Sequence, residues 1–174
     1  MSSHRYRGPE QGLACVTPTE RQEIAARLDG YLDALASVDG RFREYVMGAL
    51  LLDLAGRSVA SALAGHFGSS EHHRFAITSM IRGESWTEIE DFLRQNVLSA
   101  PAFRADDRAS ADLEKTRGEL AFQASDMVMF LSPEQSPRGI HHLVLTEDTA
   151  LSSVGCAVEY ENDLLLIQRT HWRR

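Results

Sequence analysis

Lysine and cysteine are scarce in this chain of 174 residues, and its 18 basic residues are outnumbered by 25 acidic ones. Lys115 is the one lysine, and the other cationic residues are arginines, a bias that is typical of bacterial proteins from GC-rich genomes. The cysteines are Cys15 and Cys156, and their separation matches no metal-ligand motif. Because disulfide frameworks need more cysteine than this, we expect a cytoplasmic protein without one.

The other absences exclude three classes of protein. A formal net charge of −7 argues against a nucleic-acid partner, because phosphate neutralisation requires a basic surface. The N-terminus has no apolar stretch of the kind that secretory signals carry. Residues 46–65 have the length of a membrane span, but Asp53 and Arg57 within them would be costly to bury in lipid. We therefore expect no membrane partner.

What the chain does contain is enough apolar sequence for one domain. Hydrophobic residues make up 43% of it and charged residues 25%, which is ordinary for a globular protein. Residues 1–16 are polar, with Gly8, Pro9 and Gly12, and predict a flexible arm. Residues 17–174 then form a single domain.

Helical periodicity dominates before residue 126. Thr17 and Glu20 predict a capping box at the start of the first helix, and Ser85 and Glu88 predict a second one. The run 41–65 is apolar on most sides, which indicates a long, buried central helix. Further apolar spacings of three and four complete a prediction of about five helices, over 17–38, 41–65, 71–82, 85–100 and 107–124.

Strand patterns dominate after residue 126. A continuous apolar run at 127–131 and alternating or apolar segments at 140–147, 154–160 and 164–172 predict three or four strands. The last two are separated by a short turn and predict a hairpin. The fold class is therefore α+β, with a small, mostly antiparallel C-terminal sheet following the helices. We expect a cleft between the helices and the sheet face that carries Cys156, rimmed by loop 132–139.

Histidine is the residue type that most invites a chemical interpretation. The seven histidines include two adjacent pairs, His72-His73 and His141-His142. Neighbours on a strand point to opposite faces, so His141 and His142 cannot ligate the same ion from a regular strand. We therefore predict no metal site and no cofactor. A cysteine nucleophile, Cys15, with a histidine base remains an alternative.

One order of short motifs resembles the CAP (cysteine-rich secretory protein-like) family over about the last third of the chain. It consists of Gly118-Glu119, Ser136-Pro137, His142 and Val154-Gly155. Leu120 stands where the family has Asn, and extra residues separate Pro137 from His142. We take from the resemblance only that Glu119 and His142 are candidate catalytic residues, since a His/Glu cluster lines the cleft of that family.

Three functional hypotheses follow from these patterns. The first is a binding or assembly protein that acts through a partner surface, either with a protein partner or as a homo-oligomer, because no specific catalytic motif is present. Its candidate binding residues are Trp172, Arg169, His171 and Arg138. The alternative is a small hydrolase or ligand-binding enzyme in which His142, His66 or His73, and an acidic residue converge in the cleft. A toxin, effector or immunity component is a third alternative.

Overall fold

A computed structural model describes residues 16–39, 45–69, 75–83, 85–97, 107–131, 137–146 and 151–172. Within these ranges, the four helices are α1 (Pro18–Asp39), α2 (Val59–Ser69), α3 (Thr87–Asn96) and α4 (Asp107–Phe130). The five strands are β1 (Tyr45–Asp53), β2 (Ala76–Gly83), β3 (Gly139–Thr146), β4 (Leu151–Glu159) and β5 (Asp163–Trp172). They form one antiparallel sheet in the order β1-β5-β4-β3-β2. The α+β class is thus confirmed.

Helices cover both faces of the sheet, unequally. Helices α1, α3 and α4 lie on one face, which we call the three-helix side, and share with it a large apolar core. Leu28 and Leu32 of α1, and Ile89 and Leu93 of α3, are completely buried there. Among the described helices, α2 alone contributes to the smaller core on the other face, which we call the α2 side. Both cores exclude water, so each contributes to stability in proportion to the apolar area it buries.

The first helix begins as its sequence predicts. The Thr17 N–H donates to the Glu20 carboxylate at 2.8 Å, and the Glu20 N–H donates to the Thr17 hydroxyl at 3.3 Å. These two bonds satisfy donors that a helix terminus otherwise leaves unpaired. The first of them is also the main reason that the pKa of Glu20 is lowered.

The predicted long central helix is wrong. Residues 41–65 contain strand β1 and the start of α2 instead. Burial in β1 alternates, with Tyr45, Met47 and Leu51 buried on the three-helix side. The intervening positions are apolar too, because they lie on the α2 side, and a strand that is apolar on both faces is hard to distinguish from a buried helix.

A tight turn separates β1 from α2. Ala55 and Gly56 have φ values of 47° and 74° in the left-handed region, which no continuous helix passes through. The Ala55 N–H donates to the Asp53 carboxylate at 2.8 Å. Arg57 donates to the Asp53 main-chain carbonyl at 2.7 Å, so this residue pair closes the turn rather than lying along a helix.

Two further element assignments are wrong. The helix predicted over 71–82 is replaced by strand β2, Ala76–Gly83, and residues 71–74 lie outside the described residues. The strand predicted over 127–131 is the end of α4, where Ala124, Val128 and Leu131 are buried at helical spacing. The sheet is therefore not confined to the C-terminal part of the chain, and its five strands exceed the predicted three or four.

The three C-terminal strands agree with the sequence. Strands β3, β4 and β5 lie where alternation predicted them, and β4 and β5 pair as an antiparallel hairpin. The flexible arm proposed for 1–16 falls almost entirely outside the described residues. None of the described helices has both the length and the hydropathy that crossing a bilayer requires.

Candidate functional site

Strand β3 carries two histidine–glutamate pairs, one on each face of the sheet. His142 Nε2 lies 2.7 Å from Glu88 Oε2 on the three-helix side. His141 Nε2 lies 3.0 Å from Glu159 Oε2 on the α2 side. Consecutive strand residues face opposite ways, as the sequence predicts, so each pair is a separate site.

The His142–Glu88 pair depends on how α3 begins. The Ser85 N–H donates to Glu88 Oε1 at 3.0 Å, as in the predicted capping box, and this leaves Oε2 to contact His142. A Cβ atom at Gly83 would clash with the Glu88 carboxylate, so only glycine lets strand β2 end this close to α3. The His142 and Glu88 side chains are 34% and 31% exposed, which leaves the pair open to solvent on one side.

Cys156 is the direct cross-strand neighbour of His142 in the β3–β4 register. Its side chain is completely buried in the core of the three-helix side. Burial, and secondly the negative charge of Glu88, raise the pKa of the Cys156 thiol to about 12. The thiol is therefore protonated at neutral pH and does not provide the thiolate that nucleophilic catalysis requires.

Alkylation tests this protonated, buried state. In a Cys15→Ser variant at pH 7, we expect Cys156 to react with iodoacetamide at least about 1000-fold more slowly in the folded protein than in denaturant. The modified fraction is read by intact-protein mass spectrometry over time. Equal rates in the folded and unfolded protein would show that Cys156 is accessible and reactive.

The His141–Glu159 pair is more deeply enclosed. The His141 side chain is only 8% exposed, and its Nδ1 atom has no hydrogen-bond partner within the described residues. Arg82 lies across the β2–β3 register from His141 and donates to the Arg138 carbonyl at 2.7 Å. Because the imidazole is enclosed, this pair is less suited than His142–Glu88 to exchanging protons with a bound molecule.

The two candidate catalytic residues have different neighbours. Glu119 lies on α4 with an exposed side chain, 3.9 Å from Lys115 in an i,i+4 ion pair. The carboxylate that contacts His142 is that of Glu88, which we predicted as part of a helix cap and did not select as a candidate catalytic residue. The capping box was visible in the sequence, but nothing there indicated that β3 would pass beside it. A joint role for Glu119 and His142 stays a prediction.

The other histidines of the enzyme hypothesis also have separate positions. His66 lies on α2 with its ring 5.0 Å from that of Phe67, and burial lowers its pKa. His73 lies outside the described residues. Among the residues that the structure does describe, no three histidine, cysteine, aspartate or glutamate side chains group as metal ligands.

The sheet face that was predicted to line a cleft is instead packed against the helices, and its side chains, including those of Cys156 and Val158, belong to the core of the three-helix side.

The four candidate binding residues lie at two ends of the sheet. The Arg169 guanidinium lies 4.2 Å from the centre of the Tyr45 ring, and His171 is paired with Tyr45 in the β1–β5 register. Trp172 ends β5, and its side chain lies outside the described ones. Arg138 precedes β3 at the opposite end, where it pairs with Glu161 at 3.0 Å. These residues do not form one continuous patch.

The terminal strand β5 is not an edge of the sheet, because it lies between β1 and β4. The edge strands are β1 and β2, and α1 covers part of β1. The Ala49 N–H points away from β5 and donates to the Asp29 carboxylate of α1 at 2.9 Å. A Cβ atom on Gly48 would lie 2.6 Å from the same carboxylate oxygen, so glycine permits this approach.

Strand β2 is the more open edge. We call its side facing away from β3 the outer edge of β2; no strand of the described chain lies beyond it. Ile81 is 65% exposed on the three-helix side, and Met80 is exposed on the α2 side. Ile81 is the most exposed large hydrophobic residue among those the structure describes. A second apolar surface lies on α4, where Phe122, Met129 and Phe130 are exposed.

Comparison with known proteins adds no relative from which a role could be transferred. No family model matches the chain, and no curated protein is significantly similar to it in sequence.

Proposed function

We propose that this protein is a binding or assembly protein that acts by pairing an extended strand with the outer edge of β2. The observation that carries the proposal is the exposure of Ile81, on a strand that has only one neighbour among the described strands. Natural edge strands are normally protected by charged side chains such as lysine, by proline, by β-bulges or by inward-pointing charge. Strand β2 has no lysine or proline, its register shift lies between Ile77 and Ser79, and its one charged residue, Arg82, donates to the Arg138 carbonyl, so the segment around Ile81 lacks these protections.

The chemistry of an edge strand defines what it can bind. Its outward N–H groups can donate to an extended backbone and its outward C=O groups can accept from one, and each hydrogen bond formed contributes about 0.5–1.5 kcal/mol. Complete burial of Ile81 or Met80 would contribute about 1.5–3 kcal/mol each. Together, the hydrogen bonds and the burial of Ile81 and Met80 are large enough to offset part of the entropy that the two partners lose on association. Because these contributions come from pairing with an extended polypeptide backbone, they support a protein or peptide partner rather than a nucleic acid.

The other edge of the sheet is a weaker candidate. Asp29 already accepts the Ala49 N–H at the outside of β1, so a partner strand there would have to displace α1 or avoid this position. Val46 and Leu50 of β1 are exposed, but both are on the α2 side alone. Strand β2 instead offers one apolar side chain to each face. The scarcity of cysteine supports a cytoplasmic location for this activity.

Native mass spectrometry of protein purified gently from its own host tests the proposal. We expect a defined assembly heavier than the 19.4 kDa chain. Ile81→Lys should abolish it, because a buried ammonium at the joined edge is costly. Leu50→Lys, at the other edge strand, is the matched control and should retain the assembly. An assembly that survives Ile81→Lys, or a chain that is monomeric in its host, would contradict the proposal.

A further inference from the structure

We infer that the strand paired with the outer edge of β2 is β2 of a second copy of this chain. This inference rests on the proposed function and identifies its partner. Two antiparallel copies of one strand are related by a two-fold axis, which is the commonest symmetry of protein dimers. The pairing would continue the antiparallel order of the sheet and join two five-stranded sheets into one.

The regular part of β2 determines where the axis would lie. The β2–β3 register shifts between Ile77 and Ser79, so uninterrupted pairing runs from Ser79 to Gly83. Ile81 is the midpoint of this five-residue segment. With the axis at Ile81, the two Ile81 side chains are directly opposite, with Cβ atoms about 4.5–5.5 Å apart. The most exposed large hydrophobic side chain that the structure describes is then buried against its own copy.

The remaining pairs of this register are compatible in size. Ser79 lies opposite Gly83, which pairs two small residues. Met80 lies opposite Arg82 on the α2 side, so the thioether chain can contact the aliphatic stem of the arginine. The two-fold axis repeats each of these pairs on the other side of Ile81, so the whole register is compatible once one half of it is.

Charge does not oppose the pairing at the joined edge. Arg82 is the only charged residue of β2, and its Nη2 donates to the Arg138 carbonyl at 2.7 Å. Arg138 directly precedes β3, so this bond holds the guanidinium on the side of β3 and away from the outer edge. The net charge of −7 on each chain makes two copies repel at long range, so association should strengthen with added salt.

The experiment uses the purified full chain in a Cys15→Ser background. Light scattering during size-exclusion chromatography should give twice 19.4 kDa for the parent protein at about 100 μM. Ile81→Lys should shift it to the monomer mass. Ile81→Cys should form an intermolecular disulfide under mild oxidation, because directly opposed residues of an antiparallel pair have Cα atoms about 4.5–5.5 Å apart, a separation that disulfides span. Leu50→Cys, at the other edge strand, is the matched control and should not.

The outcomes separate this inference from the proposed function. A parent protein that is monomeric at 100 μM overturns the second-copy inference. If the Ile81-dependent assembly is still found in the host, the edge binds another protein and the proposed function stands. A dimer that persists in Ile81→Lys, or that Ile81→Cys fails to link, also overturns the inference, because the copies then meet elsewhere. Circular dichroism of Ile81→Lys establishes that it is folded, and Ile81→Cys tests the register without introducing a charge.

Discussion

Replacing Leu63 with alanine is expected to lower the free energy of unfolding by about 2–5 kcal/mol. Leu63 is completely buried in the smaller core, between α2 and the sheet. Its truncation removes apolar contact and leaves a cavity. In the described chain α2 is the only helix that contributes to this core, so few neighbouring side chains can move in to fill the space. Urea denaturation followed by circular dichroism measures the loss.

Leu50→Ala provides the matched control for this core. Leu50 lies on the same side of the sheet, in β1, but its side chain is 43% exposed. The same chemical change should therefore cost less than about 1 kcal/mol, since much of this surface already contacts water. Equal losses for the two variants would mean that α2 does not enclose Leu63 in solution.

Replacing Glu88 with alanine is expected to destabilise the protein by about 2 kcal/mol at neutral pH. The Glu88 carboxylate accepts from the Ser85 N–H at 3.0 Å and lies 2.7 Å from His142 Nε2. The substitution therefore removes a helix cap and the link from α3 to β3 together. Hydrogen bonds to a charged group contribute about 1.5–3 kcal/mol each, and the partial exposure of Glu88 places the expected loss below their sum.

Two comparisons isolate the contribution of the pair. Glu90→Ala removes an exposed carboxylate of the same helix, 2.9 Å from Arg94, and should cost about 0.5 kcal/mol or less. A double-mutant cycle of Glu88→Ala with His142→Ala should give a coupling energy of about 1 kcal/mol. Additive losses in the cycle would mean that the 2.7 Å contact contributes nothing to folding, which would leave His142 available for another role.

The sequence predicts elements well where one face is polar and the ends carry caps. Helix α1 has an apolar stripe and a capping box, and it begins at Pro18 as expected. Strands β4 and β5 alternate and are joined by a short polar turn, which is the usual signature of a hairpin. In these segments local propensity and burial favour the same conformation.

Prediction fails where both faces of an element are apolar. Strand β1 is sandwiched between the two cores at one end, so its sequence shows no alternation from which a strand could be recognised. One local signal was present: the Ser58 hydroxyl accepts the Ser61 N–H at 3.3 Å, as a residue at a helix start does. A serine at position 58, following Gly56, is a pattern from which a helix start at Val59 could have been recognised, but our prediction did not use it.

The candidate site was only partly predictable for a different reason. The alternation of β3 correctly separates His141 from His142, since it depends on strand geometry alone. The partner of His142 depends on the packing of α3 beside β3, which joins positions 54 residues apart. Neither Glu88 nor Gly83 carries a sequence signal for that contact, because a helix-capping glutamate and a strand-ending glycine both have common local explanations.

The position of β5 between β1 and β4 has a consequence for how the chain folds during synthesis. Among the described strands, β1 pairs with β5 alone, from Tyr45 opposite His171 to Asp53 opposite Asp163. On the ribosome, β1 therefore emerges long before its neighbour exists, while β3, β4 and β5 can assemble as successive hairpins. Closing so long a loop is entropically costly and slow. Helix α1 can pack on β1 as soon as both are made, but the main-chain groups of 45–53 that face β5 stay unpaired until translation has passed residue 172, and such an unpaired strand edge makes the nascent chain prone to aggregation.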